Sequence, residues 1–205
     1  TQPNPSHTFS SAGTYEVKLI VTTPVGCPDS TTRTILVHPI PTAVAGSSAT
    51  ICEGDSVQLI GSGGNDFLWS PAAFLADSEI PNPLAFPSST TTFTLTVTNQ
   101  FGCQDSDTVT VTVIPLPTLA VTPDTSICIG ESLQLQATGA LSYQWDPSTE
   151  LSCTNCPNPV ASPTQTRIYH LTGTGTFGCS NSDTVRVTVY PNPNGLTYGD
   201  TSFCL

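Results

Sequence analysis

Cysteine residues recur along this chain at a fixed interval, and that interval constrains the fold more than any other feature. Two cysteine series keep a spacing of 76 residues: Cys27, Cys103, Cys179 and Cys52, Cys128, Cys204. Trp69 and Trp145 keep the same spacing, and so do three Pro-x-Pro steps. A gapless repeat of this kind indicates an array of structural modules.

Within each repeat, short runs alternate apolar residues with threonine. The clearest runs are residues 93–97 and 109–113, and the turn between them is formed by residues 99–102. Alternate residues of a strand point to opposite faces, so these runs predict a hairpin with one buried face. Roughly seven such strands per repeat, and no segment at helical spacing, predict a small Greek-key sandwich. The predicted fold class is therefore all-β: tandem immunoglobulin-like β-sandwich domains in an extended rod.

The repeat also predicts where the modules begin and end. The expected order is the C-terminal half of one domain, two complete domains, and the first strand of a further domain, at residues 1–39, 40–115, 116–191 and 192–205. Half domains do not fold alone, and residue 1 is not Met, so we expect the chain to be an interior piece of a longer protein. The Pro-x-Pro steps at the junctions favour a semi-rigid rod, with roughly 35–40 Å per sandwich.

Composition excludes several classes of partner. Four Lys plus Arg stand against fifteen Asp plus Glu, which gives a net charge of −11. Nucleic acids and anionic membranes both need clustered basic side chains, so neither is expected as a partner. No stretch approaches the roughly 20 apolar residues of a membrane-spanning helix, so no membrane insertion is expected.

Several motifs resemble a known family. Residues 7–19 read HTFSSAGTYEVKL, and residues 51–57, 69–71, 90–93 and 101–107 read ICEGDSV, WSP, TTTF and FGCQDSD. These motifs resemble the tandem PKD-like and immunoglobulin-like repeats of Bacteroidota surface proteins. The resemblance implies PKD-like domains at the cell surface or outside the cell. It also implies export by type IX secretion and a relationship to gliding-motility adhesins and cell-surface filaments.

The cysteines allow more than one disulfide pattern. An even number at fixed spacing in an extracellular chain indicates disulfides. Pairs within a domain, such as Cys52–Cys103, are the simplest pattern. In a Greek key, however, these two positions lie at opposite ends of the sandwich, roughly 25 Å apart, whereas bonded cysteines have Cα atoms within about 7 Å. A staple between Cys52 and Cys179 across a domain junction is the alternative, and free buried thiols are a third.

Cys153 and Cys156 break the repeat. A C-x-x-C pair can be a redox motif, but redox chemistry normally places the first cysteine at a helix N-terminus, and this pair lies in a Pro-rich loop. A single pair also cannot supply the four ligands of a structural zinc site. A local disulfide is the prediction.

The remaining candidate sites have plain structural interpretations. Trp69 and Trp145 are expected in the two cores, although an exposed tryptophan can also stack on a sugar. Calcium needs six to eight oxygen ligands, so turn residues are predicted, in preference to a calcium site, at four positions: Asp105, Asp107, Asn181 and Asp183. No cofactor, metal site or catalytic arrangement is expected, because no nucleophile, base and orienting acid occur in a recognisable pattern. The resemblance further implies O-glycosylation in short Asp-Ser and Asp-Thr motifs, at Ser30, Ser56, Thr108 and Thr184.

These features favour a structural stalk or filament segment of a large secreted adhesin-like protein, and not an enzyme. The expected partners are adjacent repeats of the same protein, further copies in a fibre, and surface polysaccharide or other cells. Two alternatives remain: a fibre subunit that polymerises through its edge strands, and non-catalytic binding domains attached to a secreted hydrolase.

Overall fold

The structure is a computed structural model that describes residues 5–192. These residues fall into two compact units, divided between Val113 and Ile114. The boundary predicted from the sequence, after residue 115, lies two residues beyond this division. The predicted opening strand of a further domain, with Cys204, lies outside the described residues except for residue 192.

The first unit begins with a long hairpin. Strands β1 (Gly13–Thr22) and β2 (Pro28–Val37) are antiparallel and pair over ten residues. Among the described residues, no other strand joins this two-stranded sheet.

A complete sandwich follows in the same unit. Its strands are β3 (Ala49–Cys52), β4 (Val57–Gln58), β5 (Asp66–Ser70), β6 (Leu84–Ala85), β7 (Thr91–Thr98) and β8 (Gln104–Ile114). One sheet has the order β3-β8-β7-β5. The other is built from the β4–β6 pair and the bridges Val44–Ser62 and Leu75–Ala85. A 3-10 turn at Ala72–Phe74 lies on the connection between the sheets.

The second unit repeats this arrangement. Its strands are β9 (Ala120–Val121), β10 (Thr125–Cys128), β11 (Leu133–Gln134), β12 (Ala137–Thr138), β13 (Ser142–Asp146), β14 (Val160–Ala161), β15 (Arg167–Thr174) and β16 (Ser180–Tyr190). The larger sheet has the order β10-β16-β15-β13, in which β10 runs parallel to β16. A 3-10 turn at Thr176–Gly178 joins β15 to β16.

Alternation along the long strands produces the two cores. In β7 the fully buried residues are Phe93, Leu95 and Val97, and the intervening threonines are partly exposed. Trp69 packs with them in the core of the first sandwich, and Trp145 occupies the matching place in the second. Neither core contains a buried charged side chain among the described residues. The predicted all-β, immunoglobulin-like sandwich class is confirmed.

One glycine in each sandwich allows the first segment to approach closely. At Gly63 φ is +109°, and a Cβ atom there would lie 1.8 Å from the Thr42 carbonyl oxygen. Gly139 has the same geometry against Thr118. Gly54 also has a positive φ, +90°, but a Cβ atom there would meet nothing within 4 Å.

These two glycines separate backbone strain from steric overlap. We expect Gly54→Ala to lower the free energy of unfolding of the first sandwich by about 1 kcal/mol, the cost of a left-handed alanine. Gly63→Ala adds a clash with backbone, so we expect a loss of more than about 3 kcal/mol. Peptide-resolved hydrogen exchange of β7 measures both values. Equal losses of stability in the two variants would contradict the close approach of the Thr42 carbonyl to Gly63.

Candidate functional site

The turn between the last two strands of the first sandwich binds the linker that precedes this sandwich, residues 38–41. We call this end, with residues 99–103 or 175–179, the top of a sandwich. The Asn99 side chain donates from Nδ2 to the Pro39 carbonyl oxygen at 2.8 Å. The His38 ring stacks on Phe101, with ring centroids 3.7 Å apart and planes 9° from parallel. The linker is therefore fastened to the sandwich that follows it.

Asn99 also shapes the turn from which it reaches the linker. Its Oδ1 accepts from the backbone N–H groups of Phe101 and Cys103, both at 3.0 Å. Such side-chain to backbone bonds are the reason why asparagine is favoured in turns. One side chain thus closes the hairpin with its oxygen and binds the linker with its nitrogen.

Two carboxylates attach the first segment of the same sandwich. Asp105 Oδ2 accepts from Ala43 N and Asp107 Oδ2 accepts from Ala45 N, each at 2.9 Å. These bonds replace the ladder that a neighbouring strand would supply. The backbone N–H of Ala45, helped by that of Thr108, lowers the pKa of Asp107 below its usual value. Both carboxylates thus act as hydrogen-bond acceptors for backbone.

The second sandwich binds its linker with a different residue. Asn181 donates from Nδ2 to the Pro117 carbonyl oxygen at 3.1 Å. Asn181 occupies the repeat position of Asp105, and the position of Asn99 is taken by Gly175, which lies against Pro117. Neither the donor nor the accepting carbonyl keeps the 76-residue period, because Pro117 lies 76 residues after Pro41 and not after Pro39. Sequence reasoning missed this function of both asparagines because neither recurs at 76 residues.

Among the described residues, no three or more His, Cys, Asp or Glu side chains are grouped so that they could hold a metal ion. The prediction of turn residues at four positions is wrong, because Asp105 and Asp107 lie in β8, and Asn181 and Asp183 lie in β16. Asp183 Oδ1 accepts from the backbone N–H of Thr184.

The two cysteines of one domain lie at opposite ends of its last strand. In the second sandwich Cys128 pairs in register with Tyr190, the last residue of β16, and Cys179 immediately precedes the first residue of that strand. An 11-residue strand spans roughly 35 Å, far beyond the reach of a disulfide. Cys103 and Cys128 are free thiols. The alternative of a pair within a domain, Cys52–Cys103 or Cys128–Cys179, is therefore wrong.

The other cysteines have different states. Cys27 is a free, exposed thiol on the turn between β1 and β2. Cys52 and Cys179 each belong to a disulfide. The pairing of these two with each other stays a prediction.

Cys153 and Cys156 form a disulfide, with Cα atoms 6.0 Å apart. The loop that they close provides the Cys156 carbonyl oxygen, which accepts from Trp145 Nε1 at 3.0 Å. The loop also accepts from the backbone N–H of Trp145 at Thr154. In the first sandwich, Trp69 Nε1 is buried and has no hydrogen-bond partner among the described residues. The disulfide loop therefore satisfies a polar group that is left without a partner in the other domain.

The remaining predicted residues are placed as follows. Trp69 and Trp145 are each 1% exposed. The serine and threonine positions are all exposed: Ser30, Ser56, Thr108 and Thr184. At three of these positions the preceding aspartate accepts from the backbone N–H of the hydroxyl residue, which leaves the hydroxyl on the surface.

No helix in residues 5–192 has the length and apolar character needed to cross a membrane.

Comparisons with known proteins give distant structural likenesses. No protein-family model matches the chain, and no curated protein matches it. It is similar to the structure of the first two immunoglobulin domains of DIP-gamma, with 12% identity, a TM-score of 0.41, and coverage of 74% of this chain and 98% of that one. The insect immune protein hemolin gives 14% identity, a TM-score of 0.41, and coverage of 73% and 47%. An ice-binding adhesin of an Antarctic bacterium gives 12% identity, a TM-score of 0.39, and coverage of 87% and 57%.

The carboxylate of Asp107 makes the first sandwich sensitive to acid. A carboxyl whose pKa is lower in the folded state stabilises the fold above its unfolded pKa of about 3.9, and this stabilisation is lost as the pH falls through the folded value. We expect Asp107→Asn, which keeps an oxygen acceptor for Ala45, to show a smaller loss of stability below pH 4 than the wild type. Urea unfolding at a series of pH values measures this. The control is Glu53→Gln, an exposed residue, and an equal change in the control would contradict the assignment.

The disulfide loop is expected to stabilise the second sandwich. By the chain-entropy relation, a disulfide that closes a loop of four residues stabilises the folded state by about 2 kcal/mol. The Cys153→Ala/Cys156→Ala variant should lose about that much stability, and the emission of Trp145 should shift to the red as its indole N–H loses the Cys156 carbonyl. A Trp69→Phe background isolates the signal. Unchanged emission and stability would show that the loop is held without the disulfide.

Proposed function

We propose that this chain is a load-bearing segment of a long extracellular stalk or filament, with no catalytic function of its own. The observation that carries the proposal is the attachment of each linker to the sandwich that follows it, through Asn99 to Pro39 and through Asn181 to Pro117. A flexible linker is sufficient to tether one module to the next. A module that sets the direction of its neighbour needs a linker that is held in one position.

The chemistry of the linker supports a mechanical function. Proline fixes φ, so a Pro-x-Pro step has few conformations before any contact is made. The bond from asparagine then holds one proline carbonyl against the top of the sandwich. In the first unit, the stacking of His38 on Phe101 adds a second point of contact. Together they reduce the freedom with which a sandwich swings on its linker.

The surface chemistry supports a location outside the cell. Disulfides persist in oxidising compartments, and four of the cysteines in residues 5–192 are disulfide-bonded. Both tryptophans are in cores, so they do not offer sugar-stacking platforms of the kind that an accessory domain of a hydrolase would use. The net charge of −11 favours solubility.

Finer parts of the proposal rest on the motif resemblance. They are a Bacteroidota surface protein with PKD-like repeats, gliding-motility adhesin character, type IX export, and O-glycans at the exposed Ser30, Ser56, Thr108 and Thr184. Surface polysaccharide or other cells are proposed as partners on the same ground. Adjacent repeats of the same protein are proposed because of the 76-residue period, and further copies in a fibre because of the Thr-rich edge strands. The disulfide between Cys52 and Cys179 is proposed because the two cysteines of one domain lie at opposite ends of a sandwich and each of these two is disulfide-bonded.

Electron microscopy of the native protein tests the stalk. We expect strings of regularly spaced beads, at about 35–40 Å per bead. The Asn99→Asp/Asn181→Asp variant keeps the side-chain oxygens that accept from nearby backbone N–H groups and removes the donors to the two prolines. It should broaden the distribution of angles between successive beads. The Asn155→Asp/Asn158→Asp variant, changed at two exposed positions, controls for the two added charges. Compact particles in place of strings would contradict the proposal.

A further inference from the structure

The long hairpin at the start of the first unit has one face that is apolar along β1 and uncovered, and the β2 residues paired with this row are Arg33, Thr31 and Asp29. Val17, Leu19 and Val21 lie on the same side of β1, because alternate residues of a strand share a face, and they are 41%, 50% and 58% exposed. The opposite face carries mainly polar residues, such as Glu16 and Lys18. An apolar row of this length is unusual on an exposed sheet.

The complete sandwich shows what covers this face. Residue 93 occupies the repeat position of Val17, and the three buried residues of β7, namely Phe93, Leu95 and Val97, occupy the positions of Val17, Leu19 and Val21. All three are 0% exposed. They pack in one core with Trp69 and Leu59, which come from the first half of that sandwich.

A tyrosine at the start of β1 gives independent support. The Tyr15 hydroxyl donates to the Ser11 carbonyl oxygen at 2.8 Å, four residues back along the chain. The Tyr15 ring also contacts Phe9, with ring centroids 4.4 Å apart. A tyrosine that bonds back across the corner before its strand marks the sixth strand of a Greek-key sandwich. The hairpin thus carries the local mark of a sixth and seventh strand.

We propose that this face is the core surface of a third sandwich, and that its occupant is the first half of such a sandwich, located N-terminal to residue 5 in the same chain. The sequence indicates the point of attachment, because the Pro-Asn-Pro motif of residues 3–5 matches those of residues 81–83 and 157–159. The segment between this motif and the core row is two residues longer before β1 than before β7. In both complete sandwiches that motif follows the strands of the first half. The occupant therefore comprises about forty residues, equivalent to residues 42–82.

One residue of the hairpin defines the chemistry of this occupant. Arg33 pairs in register with Val17, on the apolar side, at the repeat position of Val109, which is 3% exposed. A buried guanidinium is costly unless it meets an acceptor. The first half that covers this hairpin therefore carries a carboxylate or free carbonyl groups opposite Arg33. Residues 42–82 supply only apolar side chains to their core.

A chimera tests the inference. Residues 42–82 are joined in front of residue 5, and the rest of the chain is kept to residue 205. A matched chimera also carries Val17→Phe and Arg33→Val, which give the hairpin the core residues of the complete sandwich. Hydrogen exchange of the β1 amides and binding of an apolar fluorescent dye are measured in both chimeras and in the unmodified chain.

We expect exchange in β1 to slow by at least about tenfold in the matched chimera and by less in the chimera that retains Arg33, with dye binding falling in the same order. Equal exchange in the matched chimera and the unmodified chain would overturn the inference. So would protection of this face in the unmodified chain by dimer formation, measured by light scattering, because the occupant would then be a second copy.

Discussion

Pairing between the last two strands of each sandwich determines where every other part of the domain lies. β7 with β8, and β15 with β16, form long antiparallel pairs whose inward side chains make up much of each core. The first strand of the large sheet adds to one side of the pair and the tryptophan strand to the other. The turn of the same hairpin holds the linker, and the length of its last strand separates the two cysteines of a domain. Fold, linker geometry and disulfide pattern therefore share one physical origin.

Sequence patterns predict the parts of the structure that depend on a period. Alternation along residues 93–97 is sufficient to define a strand and its buried face, because the side-chain period of a strand is two. The separation of Cys128 from Cys179 also follows, since it needs only strand length and Greek-key order. The linker contacts do not follow. Asn99 reaches the carbonyl of Pro39 from the turn, whereas Asn181 reaches that of Pro117 from the start of β16, so the two asparagines perform the same function from different places in the repeat. A search for periodic residues does not find such a pair.

The two complete sandwiches differ where a buried polar group needs a partner. Trp145 donates to a carbonyl of the disulfide loop, whereas Trp69 Nε1 is buried without a partner among the described residues. The first sandwich instead holds its opening segment with two carboxylates, Asp105 and Asp107. A buried donor without a partner costs about 1–3 kcal/mol, an amount that a domain can offset with a few hydrogen bonds elsewhere. Such variation keeps the architecture constant while the stability of each module changes with pH or with redox state.

Arg33 marks a core position at which the repeated modules differ in sequence. A repeat that was uniform throughout would place an apolar residue there, as at Val109, and any first half would then fit any hairpin. A charged residue on a core-facing position restricts the choice, because only a first half with an acceptor at the right place satisfies it. In a chain of similar sandwiches, exchange of strands between neighbours is a characteristic way to misfold. A single charge facing the core raises the energy of the exchanged arrangement much more than that of the correct one, so it favours assembly of each half with its own partner.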